Sequence, residues 1–414
     1  MIQKFEQAGY KIVQAAEKAD IAIVNTCTVT NMSDRKSRQM LRRCKELNKN
    51  CVLVATGCYA QVGKEKLKQI PEIDIILGNN EKNDIVKHVE QYIQDREKIL
   101  ITTDLMQQKE FRDFGTTTYT EKTRAFIKIQ DGCDRFCSYC IIPYARGRVR
   151  SRMPENIIQE VNKIVEEGIQ EIVVTGIHIA SYGKDLKQEI SLIDLLEKLN
   201  EIPNLKRIRI GSLEPLIITE EFVNRLKKLE KVCSQFHLSL QSGCDEILKR
   251  MNRRYSTEDI LKVSNLLKSN YPNVILTTDI IVGFPGEDEN EFKETYEFLK
   301  KLGLYKIHVF KYSKREGTKA AIMPNQVIEN TKDIRSKKII ELSNDNIKNI
   351  NEKYIGQEVE VLIEEKEGEY FIGHTKNYIL VKAKSHAENI ENKIVKVLIE
   401  SNLEEFLIGN ITNL

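Results

Sequence analysis

No stretch of this 414-residue chain approaches the roughly 20 consecutive apolar residues that span a bilayer, and its start, MIQKFEQAGYK, lacks the apolar core of a secretory signal. A cytosolic protein is expected. Charge of one sign is missing too: 64 Lys+Arg face 61 Asp+Glu, a net +3, so no global field draws the molecule onto nucleic acid. Any such contact must rest on local stripes. Cysteine is too sparse for a disulfide scaffold, nine in the whole chain, and clustered cysteines in a reducing compartment bind metal or do redox chemistry instead. What remains is a globular composition, 41% hydrophobic, long enough for two or three domains.

Two basic stripes stand out. Between Asn31 and Asn50 seven basic residues face Asp34 and Glu46, a pattern that fits a solvated helix face. Between Cys133 and Arg152 five arginines face Asp134 alone. In the first hundred residues, apolar runs at 21–26, 51–56 and 73–78 alternate with helical patterns at 32–47 and 81–95, which predicts a small parallel α/β sheet. Cys27 and Cys58 each sit just past the carboxyl end of such a strand, where open α/β sheets place ligands. Residues 101–122 show no sustained period and read as a linker. From Arg124, strands are expected at 124–130, 171–175, 206–210, 235–240, 273–279 and 305–310, with helices between them. Six β/α units fit a barrel, or part of one, better than a doubly wound sheet, and chemistry then belongs at the strands' carboxyl ends. After a polar helical stretch at about 328–350, five short β-branched segments predict a small all-β barrel, a shape often used for RNA. From Glu352 to Leu414 that region has 7 basic and 12 acidic residues, so RNA contact there would need a local basic face or stacking by Tyr354, Tyr370, Phe371 or Tyr378.

The sharpest feature is GCDRFCSYC, where Cys133, Cys137 and Cys140 have the spacing C-x3-C-x2-C, three residues past an expected strand. Structural zinc asks for four ligands, and neither another cysteine nor a histidine lies close in sequence to complete the set. Three thiolates on a 4Fe–4S cluster instead leave one iron open to an external ligand, which suits one-electron cleavage of S-adenosylmethionine. The segment resembles the radical SAM signature, including an aromatic, Tyr139, before the last cysteine. By that resemblance Tyr139 contacts the adenine, and VVTGIH (173–178) supplies Gly176 toward the methionine amino group. His178, Ser212, Glu214 and Gln241, near the ends of the next strands, are candidate contacts to the same molecule, with ordinary hydrogen bonding as the alternative. Gly283 is expected to let backbone approach adenine.

Over nearly its whole length the chain resembles the methylthiotransferases, through NTCTVT, TGCYAQ, PYARGRVRSR, TGIHIASYG, LQSGCDEILKRMNRRY and IIVGFPGE. The resemblance implies a flavodoxin-like α/β domain (1–98), a linker (99–122), a partial (β/α)6 radical SAM barrel (123–350) and a TRAM barrel, small and OB-like (351–414). It also implies a second 4Fe–4S cluster on Cys27 and Cys58. RGRVRSR and MNRRY look most like the branch that methylthiolates N6-threonylcarbamoyladenosine at position 37 of tRNA, beside the anticodon. Carbon 2 of that base carries an unactivated C–H bond, so acid–base chemistry has no proton worth moving and a radical is required. One S-adenosylmethionine is then expected to methylate sulfur at the second cluster, and another to yield the 5′-deoxyadenosyl radical.

Arg146, Arg148, Arg150 and Arg152 alternate, and in an extended segment would all face one side, toward the anticodon stem-loop. An electron donor such as flavodoxin or ferredoxin is implied, with no membrane and a monomeric state. Family members carry a third N-terminal cysteine on a first strand ahead of a helix like MIQKFEQAGYK, so a shortened chain with that strand missing is expected, or a second cluster short of one protein ligand. Cys44 and Cys51 could substitute; Cys233 and Cys244 have no partner pattern and are expected as core or surface residues. The isopentenyladenosine branch, the ribosomal-protein branch and a non-catalytic, metal-bearing RNA-binding module stay open as alternatives.

Overall fold

A computed structural model of the chain describes residues 1–15, 17–113, 123–385 and 387–413. Residues group into two compact units: Met1–Thr117 with Asp131–Arg150 and Ser313–Ile322, and Thr118–Gln130 with Ser151–Tyr312 and Met323–Leu414. Among the described residues no helix is long and apolar enough to cross a membrane.

In the first unit, β1 (Ile21–Thr26), β2 (Val52–Gly57), β3 (Ile75–Leu77) and β4 (Ile99–Ile101) form a parallel sheet in that order. The alternation along β2 shows why it forms: Val52 and Val54 enter one apolar cluster with Phe5, Ile85 and Val89, while Leu53 and Ala55 enter another with Leu41, Tyr59 and Leu67. Both faces are covered, as a parallel sheet requires. The helix Asn31–Leu47 carries the first basic stripe, and its start is capped by Thr30, whose hydroxyl accepts from Ser33 N at 3.1 Å. β4 occupies the first three residues of the segment expected as linker, 99–122; three apolar residues are too few to show a period. Residues 114–122 of that expected linker lie outside the described residues.

In the second unit, β5 (Arg124–Asp131), β6 (Arg150–Ser151), β7 (Glu171–Gly176) and β8 (Arg207–Ile210) form a sheet in the order β6-β5-β7-β8. β9 (Gln235–Gln241), β10 (Ile275–Val282) and β11 (Lys306–Lys311) form another, and parallel bridges Ile208–Val232 and Leu213–Leu238 join the two. Six parallel strands thus make the open, partial barrel that the alternation predicts. One residue in two, including Ile127, Ile172, Ile208, Leu238 and Ile280, packs outward under the helices. The alternate positions are largely polar, among them Arg124, Glu171, Arg209, His237 and Asp279. Several of these pair with one another, Arg124 and Arg209 with Glu171 and His237 with Asp279.

Helix Glu329–Asn351 leads to β12 (Glu358–Glu367), β13 (Tyr370–Thr375), β14 (Leu380–Lys384), β15 (Ile394–Leu403) and β16 (Phe406–Asn413), a closed barrel in the order β12-β13-β14-β16-β15. Its core of Val361, Phe371, Val381 and Val397 continues into Ile275 and Tyr305, at the amino ends of β10 and β11. Arg207 donates to the His374 carbonyl at 3.0 Å and Arg209 to those of Thr375 and Lys376 at 3.0 Å. The small barrel therefore closes the amino end of the larger one. Of the four aromatics named for stacking on RNA, Tyr354 and Phe371 are core residues, Tyr370 lies under Lys384 at 5.0 Å, and Tyr378, still exposed, stacks on His374 with ring centroids 4.4 Å apart and under Arg209 at 4.5 Å.

Candidate functional site

The three-cysteine segment forms a loop with a closed neck. Cys133 N donates to Gly147 O at 3.0 Å, and a Cβ on Gly132 would fall 1.7 Å from Arg148 O. Gly132 also has φ +72, so two independent constraints demand glycine there. Within the loop Phe136 adopts φ +48, a left-handed conformation that a bulky residue holds only under constraint. Its ring lies 5.1 Å from the Arg148 guanidinium and edge-on to Tyr144 at 5.9 Å. Cys140 N donates to Cys137 O at 2.9 Å, and Arg135 N to Cys133 Sγ at 3.5 Å. Cys137 is buried; Cys133, Tyr139 and Cys140 are half-buried.

Three thiols on a pinned loop, one already accepting a backbone N–H, are the soft donor set that a 4Fe–4S cluster takes. Among the described residues no three His, Cys, Asp or Glu side chains converge on a point suited to one metal ion. A cluster asks for less convergence, because each thiolate binds a different iron.

The first unit also holds Cys27 and Cys58. Thr26 and Gly57 are register partners across β1 and β2, so the two cysteines leave adjacent strands at the same end. Gly57 has φ +102, and a Cβ there would lie 2.3 Å from Thr26 O. The Thr26 hydroxyl donates to Thr56 O at 2.5 Å and accepts from Ala60 N at 3.1 Å, tying down the turn that starts helix Cys58–Val62. Cys58 is buried and accepts from Arg146 Nε at 3.1 Å and Asn79 Nδ2 at 3.7 Å. Cys27 is exposed, on a loop gripped by the buried Arg315, which donates to Thr28 Oγ1 at 2.6 Å, Asn31 Oδ1 at 2.7 Å and Asp34 Oδ2 at 2.7 Å. Two thiols at matched strand ends, one already hydrogen-bonded by a cation, are soft donors of the kind an iron–sulfur cluster takes, and supply two of its three or four protein ligands. Burial pushes the thiols of Cys44 and Cys51 up, and both belong to the apolar cluster under β2, which makes them poor substitutes. Of the core and surface placements open to Cys233 and Cys244, both take the core, and burial lifts the Cys244 thiol to about 11.

At the carboxyl ends of the second unit's strands, the structure brings His178 and Glu214 together, Nε2 to Oε2 at 2.9 Å, while His178 Nδ1 meets Ser181 Oγ at 2.6 Å. His178 N donates to Gln130 Oε1 at 2.8 Å, and the same oxygen would lie 3.0 Å from a Cβ on Gly176. Gln130 has no motif of its own and is missed by sequence reasoning. Ser212 is exposed, and Gln241 ends β9 at φ +70. Gly283 needs to be glycine, at φ +70, with the stem of buried Lys332 where a Cβ would lie, and the Gly283 N–H donates to Glu287 Oε1 at 3.0 Å.

The arginine stripe is not one face. Arg146 ends the helix Ile142–Arg146, and the chain then turns at Gly147, φ +76. Arg150 and Arg152 are only 4% and 6% exposed. Arg150 donates to Arg146 O at 2.7 Å, and Arg152 pairs with buried Glu160. Only Arg148, its side chain 53% exposed beside Asp134 at 3.4 Å, is presented to solvent. The alternation fails because helix and turn break the extended geometry on which it depends.

A radical SAM superfamily domain matches residues 127–299, and a family described as uncharacterized protein family UPF0004 matches residues 1–78. Among solved structures, the radical S-adenosylmethionine methyltransferase TsrM of Kitasatospora setae is similar in fold, with TM-score 0.55 at 15% identity over 74% of this chain and 67% of that one. The cysteine loop at the end of a partial barrel's first strand is thus set in a radical SAM fold. Among curated proteins, threonylcarbamoyladenosine tRNA methylthiotransferase MtaB of Bacillus subtilis is 41% identical, covering 96% of this chain and 89% of its own length. The tRNA-2-methylthio-N(6)-dimethylallyladenosine synthase of Clostridium tetani is 37% identical, covering 97% and 90%. The chain belongs to the radical SAM methylthiotransferase family.

Proposed function

We propose that the chain converts N6-threonylcarbamoyladenosine at position 37 of tRNA to its 2-methylthio derivative, in the cytoplasm. The observation that carries the reading is the neck-closed loop with Cys133, Cys137 and Cys140 in one compact unit with Cys27 and Cys58. The threonylcarbamoyl branch is favoured because the Bacillus relative acting on that base is 41% identical, against 37% for the dimethylallyladenosine enzyme. When bound, two 4Fe–4S clusters and S-adenosylmethionine supply one-electron reduction, radical attack on an unactivated C–H bond, and the methyl group and sulfur to be transferred.

The chain's own residues bind and orient. Cys133, Cys137 and Cys140 would hold one cluster, Cys27 and Cys58 the other, and Tyr139 would flank the first. Gly176, His178, Ser212, Glu214 and Gln241, around the carboxyl ends of β7 to β9, would contact S-adenosylmethionine, with His178 and Glu214 acting as one hydrogen-bonded pair. Gln130 fixes the turn that presents His178. A flavodoxin or ferredoxin would deliver the electron to a monomer.

Of the arginine stripe, Arg148 is the tRNA contact. Arg148→Glu is expected to weaken anticodon stem-loop binding several-fold and to reduce the slope of log affinity against log salt by about 1, with iron content unchanged. Affinity and slope equal to wild type would remove Arg148 from the interface. Substrate identity is tested by mass spectrometry of tRNA nucleosides from a strain deleted for the gene. Loss of methylthio-threonylcarbamoyladenosine, restored by the chain, is expected; loss of the methylthio-isopentenyl nucleoside instead would assign the other branch.

A further inference from the structure

Arg146 stands in a motif whose other arginines are exposed or locked in ion pairs, yet its Nε points at a sulfur. The Nε–Sγ distance to Cys58 is 3.1 Å. The guanidinium is held from behind, with Nη1 3.4 Å from Asp131 Oδ2, and the Arg146 backbone carbonyl accepts from Arg150 at 2.7 Å. A guanidinium stays protonated at any working pH, so the group facing the sulfur is a permanent cation. A second donor to the same sulfur, Asn79 Nδ2 at 3.7 Å, is anchored on the Ala145 carbonyl at 2.9 Å. Both donors therefore depend on the short helix that follows the three-cysteine loop.

We propose that Arg146 is a positioning residue for the second cluster: its Nε–H orients the Cys58 thiolate and raises that cluster's reduction potential. The proposal rests on the assignment of Cys27 and Cys58 to a second cluster. Reduction adds negative charge, which a buried cation and a hydrogen bond to a ligating sulfur both stabilise, and these are among the factors that set such potentials. Arginine suits the role because its charge cannot be titrated away and its rigid fork engages Asp131 and Cys58 at once.

The test uses the full chain, reconstituted anaerobically and titrated electrochemically with both clusters followed by electron paramagnetic resonance. Arg146→Met is expected to keep about eight irons while one potential falls by about 59 mV, a tenfold shift in the one-electron ratio, and the other stays. Arg146→Lys, which keeps the charge but loses the Nε fork, is expected to fall part of the way. Two unchanged potentials with full iron content would overturn the proposal. If Arg146→Met sheds half its iron, the lysine variant carries the measurement, and an unchanged pair of potentials there overturns it equally. About four irons in the wild type would instead remove the second-cluster reading itself, before any variant is compared.

Discussion

Cys137→Ala is expected to retain about four of about eight irons and to lose reductive cleavage of S-adenosylmethionine to below detection. Cys137 is the buried member of the triad, on a loop whose neck is fixed by the Cys133–Gly147 hydrogen bond and by the contact of Gly132 with Arg148 O. A loop pinned that way cannot slide another side chain into the vacated position. Cys58→Ala makes the comparison informative, since it should shed iron to the same extent while S-adenosylmethionine cleavage persists. Iron and sulfide analysis with measurement of 5′-deoxyadenosine formation separates the two variants. Undiminished cleavage by Cys137→Ala would sink the assignment of the triad.

Glu171→Gln is expected to destabilise the fold by about 3–5 kcal/mol, the cost of leaving buried cations without their partner. Glu171 is 0% exposed and faces three arginines: Arg124 Nε at 2.5 Å, Arg209 Nε at 2.7 Å and Arg207 Nη1 at 3.8 Å. Burial alone pushes its carboxyl up, and Arg209 with Arg124 pulls it below the usual range. A carboxyl depressed in the fold stabilises it fully above the unfolded value of about 4.3 and loses that contribution as pH falls through the lower folded value. The wild type should therefore lose stability in acid more steeply than the variant, and the gap between them should narrow. Arg207 and Arg209 also bind the carbonyls of residues 374–376, so the variant should loosen the small barrel as well. Urea denaturation at pH 7 and near pH 4 measures the effect; equal midpoints at pH 7 would show that the network contributes nothing.

Most strands were legible in the sequence because each repeats a local rule. The apolar runs at 21–26 and 171–175 are strands on any reading, and β5 and β9 to β11 fall within a few residues of their expected places. The five-stranded C-terminal barrel likewise follows from short β-branched segments with turns between them. β4 escaped because Ile99–Ile101 has only three residues, and β6 because it has two. The cysteine triad was legible because its three thiols lie within eight residues, so chemistry and spacing coincide in one segment.

Chain order alone sufficed for everything whose cause is local: period, turn chemistry, the spacing of Cys133, Cys137 and Cys140, and the family those motifs mark. Only the tertiary structure decided what the long, charged side chains do. Arg146 reaches Cys58 across 88 positions and Arg315 reaches Asp34 across 281, while Lys332, on a helix with no motif, fills the space beside Gly283. An arginine's reach is several ångströms in any direction, and its charge is satisfied by whichever acid, carbonyl or sulfur the fold brings within range. No sequence period encodes that choice. The same physics buried Arg150 and Arg152, left Arg148 in solvent, and turned an apparent stripe of RNA contacts into four arginines with four different partners.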